Sequence, residues 1–187
     1  MNQSLWPLPR IFLKGENMLK SILITGANAG LGKECARQLA LQDGVEKIYL
    51  GCRNEAKAKA AKQDLEQATG KSIFDIVLID VADLASVKAA VASLKEPIEG
   101  LVMNAGGTGG KQFHDQTPDG VTQIFAVNLL GHVALTDELL KAKKLTKVAL
   151  YAGSEAARGV KEMGMKRPEL ETSSVDEFAS ICNGAFF

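Results

Sequence analysis

The sequence predicts an α/β domain, a doubly wound parallel sheet in three layers (α/β/α) that is incomplete at its C-terminal end. Two observations carry this prediction. Short apolar runs rich in β-branched residues alternate with helical stretches of about a dozen residues. A glycine-rich turn joins the first run to the first helix. Composition permits it: 187 residues, 46% hydrophobic, are enough to bury a core. Lys+Arg 22 against Asp+Glu 22 leaves a formal net charge of +0. Such a chain is not disordered, which needs low hydrophobicity and high net charge. It has no basic excess to neutralise phosphates, which argues against nucleic acid as the main partner. No apolar run reaches the roughly 20 residues of a membrane span.

Ser21 to Thr25 is a buried strand ended by Gly26. Leu31 to Gln42 is a helix, with apolar or small residues at Leu31, Cys35, Ala36, Leu39 and Ala40 and Gly44 as its stop. Lys47 to Gly51 is the second strand. Glu55 to Ala68, rich in Ala, Lys, Glu and Gln, is a helix ended by Gly70. Phe74 to Ile79 is the third strand, closed by Asp80. Asp83 or Ser86 starts a helix running to about Lys95, before Pro97. Gly100 to Asn104 is the fourth strand and leads into the glycine cluster of 106–110. Pro118 to Lys143 is helical in two pieces, and Lys147 to Tyr151 is the fifth strand. Right-handed crossovers place helices on both faces of the sheet.

The divisions follow. Residues 1–17 are either a loose tail before a start at Met18 or an arm packed on the domain. Their apolar residues are interrupted by Pro7, Pro9, Arg10 and Lys14, so they lack the core of a signal peptide. Residues 18–155 form the regular α/β domain. Residues 156–187 are an insertion-like segment in which Ser174 to Glu177 form a capping box for a short helix ending near Cys182. The cysteines, Cys35, Cys52 and Cys182, are odd in number and far apart, so free thiols in a reducing cytoplasm are expected. No His/Cys/Asp cluster has metal-ligand spacing. His114 and His132 are expected to be structural or solvated.

Thr25-Gly26-Ala27-Asn28-Ala29-Gly30-Leu31-Gly32 carries the first chemistry. Gly26 permits the tight turn, Gly30 lets a pyrophosphate approach the backbone, and Gly32 lets helix and sheet pack closely. The helix N-terminus supplies N–H donors and positive dipole to the phosphates. NAD enzymes place an acid about 20 residues after the glycines to bind the ribose 2′-hydroxyl. The second strand here ends Gly51-Cys52-Arg53-Asn54, without an acid. Arg53 is then either a fork onto a 2′-phosphate or a solvated surface arginine, and NADP is favoured over NAD. Lys33 could add positive potential but reads more simply as an exposed helix lysine.

The spacing Gly-x-x-x-Gly-x-Gly resembles that of the short-chain dehydrogenase/reductase family, and three further segments agree. Asp80-Val81-Ala82-Asp83-Leu84 is similar to the segment that the family places against the adenine ring. Met103-Asn104-Ala105-Gly106 resembles the family's Asn-Asn-Ala-Gly, with Met103 in place of the first Asn. Val127-Asn128-Leu129-Leu130-Gly131-His132 resembles the segment whose Asn supports a proton relay. The resemblance implies a Rossmann-type fold and hydride transfer between a nicotinamide cofactor and a small carbonyl or alcohol substrate. It implies cofactor contacts from Thr25, Gly26, Asn28, Ala29, Gly30, Leu31, Gly32, Arg53, Asn54, Asp80, Val81, Asn104, Ala105, Gly106 and Val127.

For the proton transfer the resemblance implies Ser154 as the serine that hydrogen-bonds the substrate oxygen and Asn128 as the relay asparagine. The family's Tyr-x-x-x-Lys has no counterpart. The tyrosines are Tyr49, with Arg53 four residues on, and Tyr151, with Glu155 four residues on. Tyr151 precedes Ser154 and is expected to be a core residue of the strand. The Cys-Arg-Asn strand end and the segment after Ser154 resemble the branch of retinol-dehydrogenase-like and protochlorophyllide-reductase-like enzymes. The chain is expected to be C-terminally truncated relative to the family, with impaired turnover and an incomplete interface for any homo-oligomer. A non-catalytic NADP-binding module, or a truncated gene product, is the alternative.

Overall fold

A computed structural model describes residues 18–107, 115–154 and 164. The N-terminal segment, the glycine cluster beyond Gly107, His114, the capping box and Cys182 lie outside the described residues.

The strands are β1 (Ser21–Thr25), β2 (Lys47–Cys52), β3 (Phe74–Leu78), β4 (Ile98–Met103) and β5 (Leu145–Tyr151). They form one sheet in the order β3-β2-β1-β4-β5, and every neighbouring pair is parallel. The helices are α1 (Gly30–Ala40), α2 (Glu55–Thr69), α3 (Leu84–Ser93), α4 (Gln123–Phe125) and α5 (Gly131–Lys141), with a π-helical turn (Ala126–Leu130) joining the last two. This is the doubly wound sheet the sequence predicts.

Successive side chains of a strand point to opposite faces, and β1 shows the consequence. Ile22 and Ile24 pack into one core with Ala36 and Leu39 of α1 and Ala58 and Leu65 of α2. Leu23 points the other way, into a core with Val87 and Val91 of α3 and Leu135 and Leu139 of α5. A strand buried on both faces has no polar alternation, which is why β1 reads as a continuous apolar run.

Helix ends follow local chemistry. Asn54 caps α2, its Oδ1 accepting from the Lys57 amide at 2.9 Å. Asp83, one of the two candidate starts, caps α3 by accepting from the amides of Ala85 and Ser86 at 2.8 and 3.2 Å. The far end of α3 is closed from a distance: Lys144 Nζ donates to the carbonyls of Val91 at 2.8 Å and Leu94 at 2.6 Å.

The expected helix from Pro118 starts later. Gly120 has φ +77 and the Thr117 amide donates to the Val121 carbonyl, so Pro118 to Gly120 form a turn and the helix begins at Gln123. β4 and β5 start two residues earlier than expected. An irregularity between Ile98 and Gly100 preserves their pairing there, and the Ile98 amide donates to the Lys144 carbonyl.

Candidate functional site

The chain runs outward from β1 through β2 to β3, then crosses back to place β4 on the other side of β1. Neighbouring crossovers diverge there, and open α/β sheets bind ligands at the carboxyl ends of strands beside such a point. A cleft of about 1010 Å³ opens at that place. Of the predicted residues, Thr25, Gly26, Asn28, Ala29, Leu31, Arg53, Asp80, Val81, Asn104, Ala105, Gly106 and Val127 line it.

The β1–α1 turn is tied to the β4 loop through Thr25. Its hydroxyl oxygen accepts from the amides of Asn104 at 2.9 Å and Ala105 at 3.0 Å. Asn104 returns the contact, donating from Nδ2 to the Thr25 carbonyl at 3.0 Å. Gly32 is fixed by space: a Cβ there would lie 2.4 Å from the Gly26 carbonyl oxygen and 2.5 Å from Asn104 Nδ2. Gly30 is fixed by conformation, with φ +54 and nothing within 4 Å of where a Cβ would sit. The two glycines therefore do different work, and the open space lies over Gly30.

Helix α1 begins differently from α2 and α3. Its N-cap is Ala29, no side chain bonds its first amides, and its first turn holds no acid. Unpaired amides at a helix start carry partial positive charge and suit an anion. Lys33 does not reach the cleft: its Nζ bonds Asp64 of α2 at 2.5 Å, so it is a bracing residue and not a free surface lysine. Arg53 lies at the end of β2, exposed, and among the described residues it has no ion pair.

Gly30, Gly32, Asn54, Asn128 and Ser154 do not line the cleft wall. Asn54 spends its side-chain oxygen on the α2 cap. Asn128, in the π-helical turn, pairs with the backbone of Gly107: Oδ1 accepts from its amide at 2.9 Å and Nδ2 donates to its carbonyl at 2.8 Å. Nδ2 also donates to the Ile124 carbonyl at 2.9 Å. Ser154 is exposed just past the C-terminal end of β5.

Tyr151 corrects an expectation. It is not a core residue but 49% exposed, its phenol donates to the Asn128 carbonyl, and its ring stands edge-on to His132 at 5.9 Å. β5 lies at the edge of the described sheet, so one of its sides has no strand to cover it. His132 is structural, as expected: it is 1% exposed and its Nε2 lies 3.0 Å from the Thr25 hydroxyl. Burial lowers its pKa to about 4, while the Asn128 backbone pulls weakly the other way.

Gly51, Cys52, Ile79 and Gln123 also line the cleft and were not legible as site residues. The first three stand at strand ends beside predicted residues, so the strand-end rule could have found them; Gln123 had no local signal. The Cys52 thiol is pushed up to about 11 by burial, which makes it a poor nucleophile. Cys35 and Cys52 are free, and no group of metal-ligating residues occurs among the described residues.

A parallel sheet with a glycine turn, an uncapped helix start and a cleft at the crossover point defines a Rossmann-type nucleotide-binding fold. Residues 20–156 match the family model for short chain dehydrogenase, and the chain belongs to that family. It is 34% identical over 156 residues to "Short chain dehydrogenase rstn4" of Aspergillus nomiae NRRL, covering 82% of this chain and 42% of that protein. It is 36% identical over 128 residues to Retinol dehydrogenase 13 of Homo sapiens, covering 67% of this chain and 38% of that protein. The chain thus spans about two fifths of the length of these relatives. Among solved structures it resembles the NADPH-bound carbonyl reductase from chicken fatty liver, with TM-score 0.60, 25% identity and coverage of 78% and 63% of the two chains. It also resembles an alcohol dehydrogenase of the archaeon Thermococcus sibiricus complexed with 5-hydroxy-NADP, with TM-score 0.61, 26% identity and coverage of 75% and 60%. No helix among the described residues is long and apolar enough to cross a membrane.

Proposed function

We propose that the chain binds NADP in the cleft and is the cofactor-binding part of a short-chain reductase or dehydrogenase acting on a small carbonyl or alcohol. One observation carries the reading: α1 starts without a side-chain cap at the strand-end cleft, whose wall its N-cap Ala29 and its residue Leu31 help to form. Arg53 supports NADP over NAD, because an unpaired guanidinium at the end of β2 suits a 2′-phosphate and no acid stands there to receive a ribose hydroxyl. The names of two structural neighbours, bound to NADPH and to an NADP derivative, point the same way. Bound there, the nicotinamide would supply or accept a hydride. The glycine turn, Asp80, Val81, Asn104, Ala105, Gly106 and Val127 would hold the cofactor. Ser154 would bind the substrate oxygen, and Asn128, held by the Gly107 backbone, would support the proton relay.

Titration of the purified chain with NADPH and NADH, before and after Arg53→Ala, tests the reading. Losing charge-assisted bonds of about 1.5–3 kcal/mol should weaken NADPH at least about tenfold and leave NADH nearly unchanged. Equal loss for both cofactors would refute the preference, and no binding of either would refute the reading.

A further inference from the structure

We propose that His132 is a positioning residue for the cofactor cleft: its Nε2 receives the Thr25 hydroxyl proton and so fastens the β1–α1 turn to the β4 loop. The geometry leaves Thr25 little choice. Its oxygen accepts from the Asn104 and Ala105 amides, which uses both lone pairs. One O–H remains to donate. His132 Nε2 lies 3.0 Å away and the Val102 carbonyl 3.4 Å, at the edge of hydrogen-bonding range. The hydroxyl therefore donates to Nε2, and that nitrogen carries no proton.

His132 is thereby confined to the neutral tautomer protonated on Nδ1. A proton on Nε2 would put a third donor against an oxygen with two lone pairs. Nδ1 is buried and makes no hydrogen bond of full geometry, and the Asn128 carbonyl is the backbone acceptor that bears on the ring, as a proton on Nδ1 requires. Tyr151 is the titratable side chain in ring contact with His132, and no charged side chain among the described residues acts on the imidazole. Burial alone holds the ring neutral at pH 7, so the acceptor is permanently available. From α5, His132 touches both the Thr25 hydroxyl of the β1–α1 turn and the Tyr151 ring at the end of β5.

The geometric part stands alone, while the effect on cofactor rests on the proposed NADP reading. Nitrogen-detected NMR of the cofactor-free chain should show the Nδ1–H tautomer at pH 7. The Nε2–H tautomer would overturn the proposal. In His132→Phe, amide exchange at Asn104 and Ala105 should quicken about fivefold, with β2 amides such as Leu50 unchanged. His132→Gln, whose carbonyl oxygen can accept the same proton, should restore wild-type exchange. NADPH should bind about five- to tenfold more weakly to His132→Phe, and Thr25→Val/His132→Phe should bind no worse than Thr25→Val. Unchanged exchange in the folded variant, or additive losses in the double variant, would overturn the proposal. If the wild-type chain fails to bind NADPH, the functional reading falls and the tautomer and exchange results still decide this inference. If His132→Phe does not fold, the tautomer and the His132→Gln exchange decide it.

Discussion

Replacing Gly32 by Ala sets two effects of known size against each other. Ala is favoured over Gly inside a helix by about 1 kcal/mol, and Gly32 lies inside α1. Against that, the new Cβ would stand 2.4 Å from the Gly26 carbonyl oxygen, where ordinary contact begins at 3.4 Å. The neighbours must move by 3.4 − 2.4 = 1.0 Å. The Gly26 oxygen is backbone, and its residue is fixed by a 2.8 Å bond from its amide to the Gly51 carbonyl. Asn104 Nδ2, 2.5 Å from the same Cβ, is held by the Thr25 carbonyl. No side-chain rotation relieves both contacts. Overpacking costs about 1–3 kcal/mol and a lost hydrogen bond about 1 more. Offset by the propensity gain, the net loss is about 1–3 kcal/mol, or roughly 2–4 °C of melting temperature per kcal/mol. Urea unfolding and NADPH titration check this, and affinity should fall with stability because the displaced groups line the cleft. Gly70→Ala is the control. Gly70 has φ +68 with nothing within 4 Å of its Cβ position, so it should lose about 1 kcal/mol and leave NADPH affinity unchanged. A Gly32→Ala chain as stable as wild type with equal affinity would refute the close-packing argument.

Two further outcomes are expected. His132 has a native pKa of about 4 against an ordinary 6.5, so between these values the unfolded chain binds the extra proton. Stability should therefore fall as pH drops from about 6.5 to about 4, by up to about 3 kcal/mol. Urea unfolding at several pH values should lose that slope in His132→Gln. Glu34, held at about 2 by its hydrogen bonds from Arg37 and Gln38, acts only below about 4.5, so the slope above that pH belongs to His132 and not to Glu34. Lys144→Met should cost about 1–2 kcal/mol by leaving the Val91 and Leu94 carbonyls without their donor. Faster amide exchange in the last turn of α3 is the check, and unchanged exchange would show that the cap is idle.

Much of the site was legible because it is local. The glycine turn, the strand-end Arg53 and the Asp80-Val81 pair sit where a strand stops, and a strand stop can be read from apolar runs and glycines. The less legible residues depend on distant partners. Lys33 reads as solvated until α2 brings Asp64 to it, 31 residues on. Tyr151 reads as core because its strand is apolar, yet β5 takes the edge of the described sheet. Gln123 reaches the cleft because the turn through Gly120 delays the helix start, and that turn is closed by pairing between Gln116 and Thr122.

The sequence by itself determined the parallel sheet and the glycine turn between β1 and α1. Each depends on short-range pattern: short apolar runs, a helical stripe, a glycine spacing. Only the tertiary structure decided how the turn is held. Thr25 and His132 are separated by 107 positions, and nothing in either segment forecasts their contact. The fold brings them together because α5 packs on the face of β1 that carries Leu23, and there a buried hydroxyl must find an acceptor for its one remaining proton.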